Sequence, residues 1–190
     1  MTVMTIDTEK YNRFLERVAE EIDIPPSKYQ DAVERYESVG KWLEEGEYSG
    51  TSGKPNIYPQ GSFRLGTVVK PIRGGVEASY DIDLACEVPI EKSRTEPGTI
   101  KRIVGNRLRE HETYKRLLDK KEGKRCWTLE YAEQDDVGFH MDVLPCIPNP
   151  SGVLDSAIAI TNNEAGVYDW SARDQRGSAL WFERPIMTAL

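Results

Sequence analysis

Histidine is nearly absent: His111 and His140 are the only two, too far apart in the chain to suggest a histidine-built metal centre. The three cysteines, Cys86, Cys126 and Cys146, form no close pair. That leaves no zinc-ligand spacing and fits a reducing compartment. No apolar stretch approaches the roughly 18 residues of a membrane helix, and the N-terminus lacks a charged start followed by an apolar block. Internal repeats and low-complexity tracts are missing as well. Excess positive charge is also lacking, since 25 Lys and Arg stand against 32 Asp and Glu for a net charge of -7. A protein that coats nucleic acid by bulk attraction is therefore not expected. These absences predict a cytoplasmic protein without membrane contact.

What is present is the makeup of one ordinary globular domain, with 190 residues of which 38% are hydrophobic and 30% charged. Tyr11, Phe14, Leu15, Val18, Ala19 and Ile22 recur at spacings of three and four and predict an amphipathic helix from about Thr8 to Ile22. A second helix follows Pro25-Pro26, with Ser27 and Gln30 as a capping box and Tyr29, Ala32, Val33, Tyr36, Val39 and Leu43 on one face. Both faces read as core. A short strand over Asn56 to Tyr58 then leads to Gly61-Ser62, Phe63 to Thr67 suggests one helical turn, and Val68 to Ile72 reads as extended. Tyr80 to Val88 is the clearest strand. One helix is expected from Thr99 toward Asp119, and a hairpin from Cys126 to Ala132 and Val137 to Leu144 around Gln134-Asp135-Asp136. After Pro145 the chain reads as loop, with a short apolar run from Ala157 to Ile160, a turn at Asn162-Asn163 and a helix over Ser171 to Glu183.

The chemistry concentrates between Tyr58 and Val88. Alternation along a strand sends Asp81, Asp83, Ala85 and Glu87 to one face and Ile82, Leu84, Cys86 and Val88 to the other. Two aspartates on one face, with Cα atoms roughly 6.5 to 7 Å apart, can share a hard cation that relieves their repulsion. Asp142 is a third carboxylate, because Phe139, Met141 and Val143 alternate toward a core and leave it on the polar face. Three carboxylates from two strands suit a two-metal centre for in-line displacement at phosphorus. Gly61 allows close backbone approach to phosphates, Ser62 offers a hydroxyl, and Arg64 or Lys70 would neutralise further charge. Taken singly, a Gly-Ser pair is a turn, an Asp-x-Asp edges a loop, and either cation is a solvated surface group.

In this order, Gly61-Ser62, Asp81-Ile82-Asp83 and a later Asp142 resemble the signature of the DNA polymerase beta nucleotidyltransferase superfamily. The wider block is similar to bacterial cGAS-like enzymes, the CD-NTases of anti-phage CBASS systems. It runs from Tyr58-Pro59-Gln60-Gly61-Ser62-Phe63 through Thr67-Val68-Val69-Lys70-Pro71 to Tyr80-Asp81-Ile82-Asp83-Leu84-Ala85-Cys86-Glu87. His140-Met141-Asp142-Val143-Leu144-Pro145 and Trp181-Phe182 fit the same pattern.

The resemblance implies an α+β fold: a polymerase beta-like core with a mixed sheet packed by helices and an N-terminal helical pair. Residues 1–190 would be a single core domain, with helices over 1–46, the catalytic sheet over 56–145, and 170–184 beginning the connection to a C-terminal helical lobe that the sequence lacks. Asp81, Asp83 and Asp142 would bind two Mg²⁺ (or Mn²⁺), and Gly61, Ser62 and Arg64 would hold the donor triphosphate. Asp142 would help deprotonate the attacking ribose hydroxyl through the first metal. NTPs would be joined with pyrophosphate release into a cyclic oligonucleotide messenger, read by a separate effector beside CBASS accessory proteins. Two alternatives stay open: transfer of a nucleotide to RNA or protein, as in small toxin-antitoxin enzymes of this superfamily, and a nucleotide-binding module without catalysis. The basic stretch Lys115 to Arg125 reads as a solvated helix end rather than a nucleic-acid activator site, because stacking aromatics are not interleaved with it.

Overall fold

In the computed structural model, which describes residues 8–134, 137–149 and 157–173, two helices lead the chain. The first, α1 (Thr8–Ile22), occupies the range its periodicity predicts but buries none of its residues. Tyr11, Phe14, Leu15 and Ile22 are 61%, 62%, 53% and 41% exposed, so the expected core face is instead an open stripe. The helix is tied at its C-terminal end, where Lys70 N–H donates to the Ile22 carbonyl at 2.8 Å and Asp23 bridges Val69. The second helix, α2 (Pro26–Glu44), does turn Ala32, Val39 and Leu43 into the core. Its capping box is not formed. Proline at the first turn has no N–H in need of a partner, no side chain caps the helix, and Gln30 donates to Glu34 at 3.2 Å.

The remaining elements alternate between strands and short helices. They are β1 (Asn56–Gln60), α3 (Gly61–Leu65), β2 (Ile72–Arg73), β3 (Val76–Glu77), β4 (Tyr80–Glu87), α4 (Pro97–Glu110), α5 (Glu112–Leu117), β5 (Trp127–Gln134), β6 (Val137–Pro148), β7 (Ile158–Glu164) and β8 (Val167–Arg173). Among the described residues the main sheet has six strands in the order β1-β4-β6-β7-β8, with β5 also paired to β6, and β2-β3 form a separate hairpin. β4 and β6 run parallel while β1 pairs antiparallel with β4, so the sheet is mixed and the fold is α+β. One face carries the core. Ile82, Leu84, Met141, Val143 and Leu129 meet Val39 and Leu43 of α2 and Ile100, Val104 and Leu108 of α4. Burying such aliphatic side chains contributes roughly 1.5 to 3 kcal/mol each, which fixes the strands that present the opposite face. No helix among the described residues is long and apolar enough to cross a membrane.

Several local expectations change. The helix expected from Thr99 to Asp119 is broken at His111, whose φ of -94° and ψ of 122° leave the helical region. Its imidazole Nδ1 instead accepts the Thr113 N–H and caps α5 at 3.3 Å. β6 does not stop at Pro145. That proline lies between Val143, the last residue paired with β5, and Cys146, the first paired with β7, where a missing N–H costs no ladder bond. Asn162-Asn163 lies within β7, and the chain reverses at Ala165 and Gly166, with φ of 53° and 89°. The predicted turn fails because residues 157–162 are buried, so neither face alternates with solvent. Of the expected Ser171 to Glu183 helix, Ser171 to Arg173 belong to β8; residues 174–183, including Trp181-Phe182, lie outside the described residues, as do Asp135 and Asp136.

Candidate active site

Strand register sets the site. β4 and β6 pair so that Asp83 lies directly beside Asp142, at the 4.7 to 4.9 Å spacing typical of neighbouring strands. Across the other edge of β4, Asp83 is opposite Gln60, and across β6, Asp142 is opposite Thr128. Gln60, Asp83, Asp142 and Thr128 thus form one row over four strands. Asp81 stands two residues before Asp83 on the same face and is exposed, while Asp83 and Asp142 are half-buried. Beyond the row the face turns apolar, with Ala85, Cys146, Ile158 and Ile160 clustered and Tyr58 and Leu144 packed on them.

Gly61 closes the row at the end of β1. Its φ is +63°, and a Cβ placed there would stand 2.7 Å from Asp83 Oδ2. Only glycine meets both demands, the left-handed backbone and the contact with a carboxylate. The helical turn α3 begins at Gly61 rather than at Phe63 and ends on Gly66, also left-handed at φ 63°. Ser62 is half-buried, with its carbonyl accepting the Thr67 N–H at 3.0 Å. The Arg64 guanidinium lies 5.7 Å from the centre of the Tyr58 ring. Lys70 is directed elsewhere: its ammonium donates to the Glu21 carbonyl at 2.9 Å, a cation at the negative end of α1.

The electrostatics follow from this crowding. Burial raises the Asp83 carboxyl above its ordinary value, and the charges of Asp142 and then Asp81 raise it further. The Thr128 hydroxyl donates to Asp142 Oδ1 at 2.6 Å. Behind it, the Cys126 thiol is pushed up to about 11, by burial first and then by the Asp142 charge. On α4, Lys101 is fully buried and donates to the Gly123 carbonyl at 2.7 Å. Burial lowers its pKa, against the opposing charges of Glu122, Cys126 and Asp142. Hard carboxylate oxygens that repel one another are the donor chemistry of a divalent cation site, although no three acidic, histidine or cysteine side chains among the described residues are gathered closely enough to hold an ion as they stand.

Comparison with known proteins bears on the fold that carries this row. Residues 55–145 match the family described as cyclic GMP-AMP synthase DncV-like, nucleotidyltransferase domain. These residues resemble a cGAS-like nucleotidyltransferase core. The c-di-GMP synthase of Roseivirga ehrenbergii is 33% identical over 131 residues, which are 69% of this chain and 32% of that protein. The cyclic dinucleotide synthase CdnG of Bradyrhizobium diazoefficiens is 29% identical over 131 residues, 69% of this chain and 29% of its own length. The structure of that CD-NTase in complex with GTP superposes with a TM-score of 0.64 at 25% identity, over 86% of this chain and 44% of the other. The chain therefore spans about a third of the length of the curated relatives it matches.

Within this core, the row brings Asp83, Asp142 and Gly61 together, with Asp81 and Ser62 beside them and Arg64 toward Tyr58. Three residues of the neighbourhood escape sequence reasoning. Gln60 is 5% exposed, and its Nε2 is buried without a hydrogen-bond partner; its place just before Gly61 was the available signal. Thr128 requires the β5–β6 register. Lys101 occupies a helix position that composition alone marks as surface.

Proposed function

We propose that this chain supplies the metal and donor-phosphate half of a nucleotidyltransferase that joins NTPs into a cyclic oligonucleotide messenger. The observation that carries the reading is the in-register pair Asp83–Asp142 with Gly61 against Asp83. Asp81, Asp83 and Asp142 would hold two divalent cations, Mg²⁺ or Mn²⁺, which when bound activate the attacking hydroxyl and neutralise the departing oxygens. Gly61 lets the chain turn tightly beside Asp83, leaving its backbone open to a phosphate. Ser62 would add a hydroxyl donor and Arg64 a positive charge. Asp142 uses Oδ1 to accept from Thr128, so Oδ2 is the oxygen left toward the cation site, where the carboxylate would help deprotonate a ribose 3′- or 2′-hydroxyl as it attacks the α-phosphate. The O–P bond to that hydroxyl forms as the bond to the β-phosphate bridge breaks, releasing pyrophosphate. A cyclic product would act through a separate effector in anti-phage defence.

Incubation with four labelled NTPs and Mg²⁺ or Mn²⁺ tests the reading, with pyrophosphate measured and nucleotide products separated. Parallel arms add RNA and protein acceptors. Pyrophosphate release with an acceptor-free oligonucleotide product is expected, abolished by Asp81→Asn, Asp83→Asn or Asp142→Asn. Full activity in the Asp81→Asn/Asp83→Asn double variant would sink the metal assignment; label on RNA or protein would redirect the acceptor.

A further inference from the structure

We infer that Thr128 is a positioning residue, whose hydroxyl fixes the Asp142 carboxylate so that one defined oxygen is presented to the cation shared with Asp83. The inference rests on the functional reading above and assigns a role in the site to a residue outside its acidic set. A carboxylate rotates broadly about its last torsion, and an aspartate beside a second aspartate has no intrinsic reason to present either oxygen. Thr128 removes that freedom. It lies opposite Asp142 in the β5–β6 register, and its Oγ1–Oδ1 distance of 2.6 Å is that of a charge-assisted hydrogen bond. As a β-branched residue in a strand, threonine has restricted χ1 freedom, so the hydroxyl is itself held in place. The hydroxyl proton is committed to the carboxylate, which leaves the Thr128 oxygen to accept from the Cys126 thiol 3.8 Å away. Trp127 and Leu129, the neighbours of Thr128 along the strand, are both buried in the core. The backbone beneath the hydroxyl is therefore anchored from the opposite face. Partners of this kind, which orient a metal-binding side chain without touching the metal, change cation affinity by roughly 10- to 100-fold when removed.

Titrating the nucleotide-free 190-residue chain with Mn²⁺ alone, and reading free Mn²⁺ by electron paramagnetic resonance, tests the role without relying on turnover. Thr128→Val keeps the shape and removes the hydroxyl, and a roughly 10-fold or greater loss of Mn²⁺ affinity is expected. Thr128→Ser keeps the hydroxyl and should match the wild type, and Asp142→Asn defines complete loss. Thermal melts identify any variant that fails to fold. Thr128→Ala, which places no methyl where the hydroxyl was, serves if the valine variant does not fold. Wild-type Mn²⁺ affinity in Thr128→Val or Thr128→Ala, with Asp142→Asn impaired, overturns the positioning role and leaves the site reading intact. Failure of Thr128→Ser to restore affinity also overturns it, since packing of the methyl would then be the cause. Absence of Mn²⁺ binding, or binding indifferent to Asp142→Asn, removes both the site reading and the role of Thr128.

Discussion

Replacing Gly61 by alanine separates two costs that coincide at this residue. The first is backbone strain: at φ +63° a non-glycine residue is disfavoured by roughly 1 to 2 kcal/mol. The second is collision, because the new Cβ would stand 2.7 Å from Asp83 Oδ2, and overpacking of this kind costs roughly 1 to 3 kcal/mol more. Gly66 provides the control within the same helical turn. Its φ is also +63°, but nothing lies within 4 Å of an added Cβ. Gly66→Ala should therefore lose about 1 to 2 kcal/mol and Gly61→Ala about 2 to 5 kcal/mol. At roughly 2 to 4 °C per kcal/mol for a chain of this size, the two melts should be clearly resolved. Urea unfolding followed by tryptophan fluorescence gives the free energies, and Asp83→Ala completes a double-mutant cycle. Removing the carboxylate leaves the Asp83 Cβ at 3.9 Å, an ordinary contact, so in that background Gly61→Ala should cost no more than Gly66→Ala. Equal losses for the two glycines in the wild-type background would refute the claim that the turn is built against Asp83.

Two further outcomes concern the same sheet. The raised Asp83 carboxyl keeps its proton to a higher pH folded than unfolded. Between those two values the folded state binds more protons, so this group lowers stability as pH rises. Without divalent cations, Asp83→Asn should thus be at least as stable as the wild type at neutral pH, with the difference shrinking on acidification; urea midpoints in a chelator across pH check this, and an advantage that grows toward acid would contradict it. Gly105→Ala would set a Cβ 2.5 Å from the Trp127 ring, where α4 packs on β5, and should cost roughly 1 to 3 kcal/mol by overpacking, measured by the same unfolding curves.

Where a pattern was written along a single element, it was legible in advance. Period-two alternation placed Asp81 and Asp83 opposite Ile82 and Leu84, and Asp142 opposite Met141 and Val143, because the pleat leaves a strand no other choice. The two N-terminal helices were legible for the same reason, since period 3.6 is a property of the helix itself. Periodicity shows that a face is apolar without saying what covers it, and so α1 was read as core although its stripe is exposed. His111 could not announce a helix break, because the imidazole that caps α5 is an unremarkable residue in an apolar-periodic stretch. β7 was missed because a strand buried on both faces does not alternate, and two asparagines within it mimic a turn; β8, with Val167 and Asp169 exposed and Tyr168 and Trp170 half-buried, carries no apolar run to announce it.

Sequence by itself therefore determined which residues share a strand face and, through the order Gly61-Ser62, Asp81, Asp83, Asp142, which family of cores the segment resembles. Only the tertiary structure decided who stands beside whom. Counting back from Gln134, which faces Val137, would set Leu129 opposite Asp142; an irregularity between Tyr131 and Gln134 shifts the register by one, and Thr128 takes that place. A slip of one residue exchanges the two faces of a strand, so this bulge decides whether Asp142 meets a hydroxyl or a leucine. The parallel pairing of β4 with β6 likewise joins Asp83 to a residue far along the chain. Such pairings are fixed by the core packed on the opposite face, a property of the assembled sheet that no single segment carries.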